Sequence, residues 1–91
     1  MYIHLGQDTV VRKEDVVGIF DLDTATISKH TRDYLSRAEK AGDVINITLE
    51  LPKSFIVCRD GERESGRVVY LSQISSATLL KRAGFLSAGI G

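Results

Sequence analysis

The spacing of apolar residues changes once along this chain, and that change restricts the folds open to it. From Ile27 onward, Ile27, Thr31, Tyr34, Leu35, Ala38 and Ala41 recur at intervals of three and four residues, the stripe of one amphipathic helix. Before that stripe, and for most of the chain after it, the apolar runs are short and rich in β-branched residues. One central helix set among strands predicts an α+β domain. With 91 residues the chain can bury roughly 60 to 65% of its unfolded surface, enough for one core but not for a deep private substrate cavity as well. Residues 1–91 therefore read as a single domain, with 85–91 as a C-terminal tail.

The element boundaries follow from turn and cap chemistry. Tyr2–Gly6 and Thr9–Lys13 read as two short strands joined at Gln7-Asp8. Val16–Phe20 is nearly continuous in β-branched and aromatic residues, which predicts a strand buried on both faces, with Gly18 leaving room for a close neighbour. Thr24 or Thr26 can cap the helix, and Gly42 stands where a left-handed C-terminal cap belongs. At 100° per residue, Lys29, Arg32, Ser36, Arg37 and Lys40 fall opposite the apolar stripe and give the helix a mainly basic solvent face. Three further strands are predicted at 44–49, 54–59 and 67–73. Pro52 marks a turn or an edge between the first two, and the charged loop 60–66 marks a hairpin between the last two. Ser75 or Ser76 then caps a short second helix, with Leu79, Leu80 and Ala83 inward, Lys81 and Arg82 in its last turn, and Gly84 ending it. The expectation is a small, mostly antiparallel sheet of about six strands with one central amphipathic helix and one short C-terminal helix. The apolar tail from Phe85 either docks on the body or is covered by another subunit.

Nothing in the sequence assembles a catalytic constellation. His4 alternates away from Ile3 and Leu5 and has no partner base or nucleophile nearby in sequence, so a hydrogen-bonding role is expected. His30 reads as a solvated residue on a helix flank. Cys58, the single cysteine, sits in an apolar strand where a thiol behaves as a small hydrophobe. Asp21 and Asp23 resemble a fragment of a hard-cation site, but the EF-hand glycine and glutamate are missing and helix capping accounts for both carboxylates. One cysteine and two histidines are too few for a closed zinc site, and Gly61 to Gly66 lacks the Lys-Ser or Lys-Thr of a phosphate loop. The expectation is a non-enzyme without metal or cofactor. With no apolar run near the ~18 residues of a membrane span and no basic signal start, a soluble cytoplasmic protein without membrane partners is expected.

Charge adds a hint once it is placed along the chain. The 12 basic and 12 acidic residues cancel, which by itself disfavours a nucleic-acid binder. Residues 1–25, however, carry two basic and five acidic groups, whereas residues 54–91 carry five basic and three acidic. Lys53, Lys81 and Arg82 stand at element ends, where a cation can reach a phosphate without disturbing a core.

Four blocks then resemble a known family. Met1-Tyr2-Ile3-His4-Leu5-Gly6, Asp15-Val16-Val17-Gly18-Ile19-Phe20-Asp21, Pro52-Lys53-Ser54 leading to Ile56-Val57, and Tyr70-Leu71-Ser72 through Ser75-Ser76-Ala77-Thr78-Leu79 to Lys81-Arg82-Ala83 occur in order. They resemble the bacterial extracellular-matrix, or biofilm, regulators of the RemA and RemB type, the RemB branch more closely. The resemblance implies a homo-oligomer built as a ring and, in the RemA branch, promoter DNA binding and activation of biofilm genes. It also marks departures. RemA-type chains place an arginine before the third strand, where this chain has Asp15, and an arginine pair where it has Glu50-Leu51-Pro52. The basic residues near those places, Arg12, Lys13 and Lys53, join Lys81 and Arg82 as the candidate DNA contacts. Two readings follow. One is a DNA-binding transcriptional regulator acting as a homo-oligomer through phosphate contacts. The other is a protein-interaction module, partner of a DNA-binding paralogue, that has lost its own DNA contacts.

Overall fold

A computed structural model describes residues 1–22 and 28–84. The strands are β1 (Tyr2–Gly6), β2 (Thr9–Arg12), β3 (Val16–Asp21), β4 (Val44–Asn46), β5 (Ser54–Arg59) and β6 (Arg67–Ser72), and the helices are α1 (Lys29–Lys40) and α2 (Ser76–Ala83). The class is α+β as expected, but the six strands form two sheets. β1 and β2 make an antiparallel hairpin of their own, and the other four lie in the order β3-β5-β6-β4. Within the larger sheet β3-β5 and β5-β6 are antiparallel, and β4 joins β6 in parallel.

The physical reason for the split is which apolar faces need cover. Alternation along β5 sends Ile56 and Cys58 to one face and Phe55 and Val57 to the other, and all four are buried. A sheet buried on both sides needs two covering layers. The β1-β2 hairpin and α2 supply the first, through Ile3, Leu5, Val11, Leu79 and Ala83. α1 supplies the second, through Tyr34, Leu35 and Ala38. Had the hairpin extended the sheet edge, Ile3 and Leu5 would have remained in water at about 1.5 to 3 kcal/mol each.

The hairpin is fastened to the sheet by a buried hydroxyl. Ser72 Oγ donates to the Leu5 carbonyl at 2.6 Å and accepts from the Ile74 amide at 3.0 Å. Ser54 Oγ on the adjacent strand donates to the Ile74 carbonyl at 2.7 Å.

Two expectations about β3 divide. The strand exists, but it is an edge rather than a strand buried on both faces: Val17 is 56% and Phe20 45% exposed. The antiparallel register shifts between Val16 and Gly18, the mark of a bulge that suits an edge. Gly18 does serve a close neighbour. A Cβ there would lie 2.6 Å from the Phe20 ring, which folds back over the glycine while stacking on Phe55 at 4.8 Å between ring centres.

Local cap chemistry accounts for the helix ends. Ser28 caps α1, its hydroxyl accepting from the Thr31 amide at 3.1 Å. This corrects the capping assigned to Thr24 or Thr26, which lie outside the described residues together with Asp23, Ile27 and the tail from Phe85. Gly42 takes the left-handed conformation at φ +78° just past the end of α1, as expected. Ser75 caps α2 and Gly84, also at φ +78°, ends it. β2 stops at Arg12 because Lys13–Asp15 form a short 3-10 turn, and β4 is half as long as expected, the backbone leaving the ladder after Asn46. The hairpin loop between β5 and β6 forms as expected, closed by the Asp60 amide on the Gly66 carbonyl at 2.9 Å.

Candidate nucleic-acid interface

Three of the five candidate cations converge. Lys81 and Arg82 occupy the last turn of α2, where positive charge compensates the carbonyl end of the helix dipole. Arg82 Nη1 donates to the His4 carbonyl at 3.1 Å, so its guanidinium lies across the start of the β1-β2 hairpin. Lys13 reaches the same end of α2: its Nζ stands 3.8 Å from the point a Cβ on Gly84 would occupy. Lys13, in the 3-10 turn after β2, and Arg82 thus both lie at the C-terminal end of α2, whose last turn also carries Lys81. Packing of α2 on β1 brings them together.

The other two candidates stand apart from it. Arg12 is committed to Glu14, with Nε and Nη2 donating to Oε2 at 3.2 and 2.9 Å. That hydrogen bond holds the Glu14 carboxyl below its ordinary pKa and raises the arginine's. The Met1 ammonium is 3.7 Å from the same carboxylate, and Arg59 Nη2 donates to the Glu14 carbonyl at 3.2 Å. Lys53 sits at the far end of β5, its head exposed while its amide donates to the Ser72 carbonyl at 2.8 Å.

Beside Lys53 the chain presents a shaped apolar tip. Thr48 Oγ1 contacts the Glu50 carbonyl at 3.1 Å and Gln73 Oε1 at 2.9 Å, and accepts from the Glu50 amide at 3.0 Å. This turn holds Leu49 and Leu51 at 89% and 88% exposure, with Glu50 between them. Sequence reading identified Glu50-Leu51-Pro52 as a departure in charge; the paired leucines escaped it because exposure cannot be read from one alternation. It also left Arg67 unassigned. Arg67 begins β6 and, with Arg37 of α1, lines a small groove.

The residues set aside as non-catalytic take structural positions. His4 Nε2 lies 2.6 Å from the Gln7 carbonyl across the hairpin turn, and His30 is exposed on α1. Cys58 is buried, and loss of hydration, aided by the nearby Asp15 charge, pushes its thiol up to about 11, opposite to what a nucleophile requires.

The chain is a small α+β domain that carries cations at the C-terminal end of its second helix. The family model described as extracellular matrix regulatory protein A-like, or RemA-like, matches residues 2–83, and the chain belongs to that family. It is 40% identical over 87 residues to extracellular matrix regulatory protein B of Bacillus subtilis (strain 168), covering 94% of each chain.

Proposed function

We propose that this chain is a DNA-binding transcriptional regulator of extracellular-matrix genes, acting as a homo-oligomer through phosphate contacts. The observation that carries this reading is the patch of Lys13, Lys81 and Arg82 at the C-terminal end of α2. Three cations contribute little affinity alone, but repetition in an assembly multiplies them, because each further contact becomes intramolecular. Phosphate contacts fix position rather than read bases, consistent with a patch of lysine and arginine at a helix end. The half-exposed edge strand β3, with Val17 and Phe20 outward, is the surface offered to a second copy.

Fluorescence anisotropy on duplex promoter DNA across a salt series tests the reading. Binding should weaken steeply with salt, and Lys81→Gln should lower the log-log slope by about 0.9 for each copy engaged. Binding indifferent to salt would reject it. Light scattering that finds only a 10 kDa species would reject the oligomer.

A second reading rests on the Leu49-Glu50-Leu51 tip, whose exposed leucines suit a protein partner. On this reading the chain modulates a DNA-binding paralogue. A gel shift that appears only when the paralogue is added favours it.

A further inference from the structure

A groove on the opposite side of the sheet from the hairpin has the make-up of a binding site. Its floor is Val69 of β6, fully buried, with Tyr34 and Ala38 of α1 and Ala41, the residue that caps it, along one wall, and its volume is about 210 Å³. Arg37 stands on the α1 side and Arg67 on the β6 side. Both are exposed.

Four of the other arginines are committed to partners. Arg12 is held by Glu14, Arg59 by the Glu14 carbonyl, Arg82 by the His4 carbonyl, and Arg63 by Asp60 and Asp43. The Arg37 and Arg67 side chains have no hydrogen-bond or carboxylate partner among the described residues. Arg32 of α1 shows no side-chain partner among them either, but it does not line the groove. Asp43, the carboxylate lining the groove, is already taken: Arg63 Nη1 reaches its Oδ1 at 3.3 Å. Ser65 is likewise occupied with the Arg67 backbone.

The end of α1 would ordinarily repel an anion here, because helix C-termini carry partial negative charge. That end is closed off. The Asp43 amide covers the Ala38 carbonyl at 2.9 Å, the Gly42 amide covers Glu39, and Arg63 Nη1 donates to the Gly42 carbonyl at 3.0 Å. What remains facing the groove is an apolar floor between two unmatched positive charges.

We propose that this groove binds a small organic phosphate monoester, with its dianionic phosphate between Arg37 and Arg67 and a single flat ring against the wall of Tyr34, Ala38 and Ala41. The dianion matches two guanidiniums, whereas a carboxylate would match one. The volume is below the range of about 300 Å³ and upward typical of drug-sized sites, which limits the ligand to a one-ring body. This inference stands apart from the DNA reading, which uses the far end of α2.

Phenyl phosphate is the probe, titrated into the full chain and followed by amide chemical shifts and calorimetry, with inorganic phosphate and benzoate as comparisons. Phenyl phosphate should bind at least about tenfold more tightly than either, with shifts centred on Arg37, Ser65, Arg67 and Val69. Arg37→Gln and Arg67→Gln should each weaken it about tenfold and the double variant should abolish it, with the circular dichroism spectrum unchanged. Equal binding of inorganic phosphate, or unaltered binding to the double variant, would overturn the proposal. Loss of duplex DNA binding in the double variant would also overturn it, by assigning the groove to the DNA interface; retained DNA binding together with lost phenyl phosphate binding supports it.

Discussion

The two faces of the four-stranded sheet are covered to different depths. On the hairpin face Ile3, Leu5, Ile56 and Leu79 are all fully buried, and a chain of hydroxyl bonds through Ser72 and Ser54 fastens the layers. On the α1 face the helix contributes no fully buried residue, and a groove stays open along its flank. The first face determines the fold, and the second leaves surface and side-chain charge uncommitted. A small domain can thereby place its stability and its binding surfaces on opposite sides of one sheet.

Truncating the covering leucines gives the sharpest test of this contrast. Leu79→Ala should cost about 2 to 5 kcal/mol, and Leu35→Ala on the other face about half as much, measured by urea denaturation. Equal losses would break the comparison. Next in size is Ser72→Ala, which strips the Leu5 carbonyl and the Ile74 amide of a partner at once; about 1 to 3 kcal/mol should be lost, with hydrogen exchange accelerated in β1 and β2 rather than α1.

Arg63→Ala tests what anchors the open face. It removes the half-buried ion pair to Asp43 and the bond to the Gly42 carbonyl, and should cost about 1 kcal/mol while speeding amide exchange at the end of α1. The hairpin face should not respond.

A pH dependence tests the hairpin face from within its core. The Cys58 thiol titrates near 11 in the fold against 9.0 for an ordinary thiol, so folding favours its protonated form. Its contribution is fully present below pH 9 and is lost as pH rises from about 9 to about 11, because the unfolded chain ionises first. Denaturation midpoints at pH 8 and pH 10.5 should therefore differ more in the parent than in Cys58→Ala.

Sequence reading succeeded where the chemistry is local. Ser75 and Gly84 bracket α2 as expected because a cap needs only its own turn, and the same holds for Gly42 after α1. It placed the start of α1 too early: three hydroxyl residues, Thr24, Thr26 and Ser28, could each serve, and only packing of the stripe on Val57 and Val69 selects among them. The burial expected for β3 failed because a β-branched run reports strand propensity, while edge or centre is decided by which strands pair. The five candidate cations were visible as residues. Their sorting was not, since Arg82 meets His4 and Lys13 nears Gly84 only after the hairpin docks on α2.

That docking also constrains how the molecule comes into being. The bonds from Ser72 to Leu5 and from Arg82 to His4 span 67 and 78 positions of sequence. β1 therefore waits for β6 and α2, and its two core residues remain uncovered until synthesis has passed residue 83. Folding of this domain should be slow for its size, as expected where an early hairpin must find partners distant in sequence.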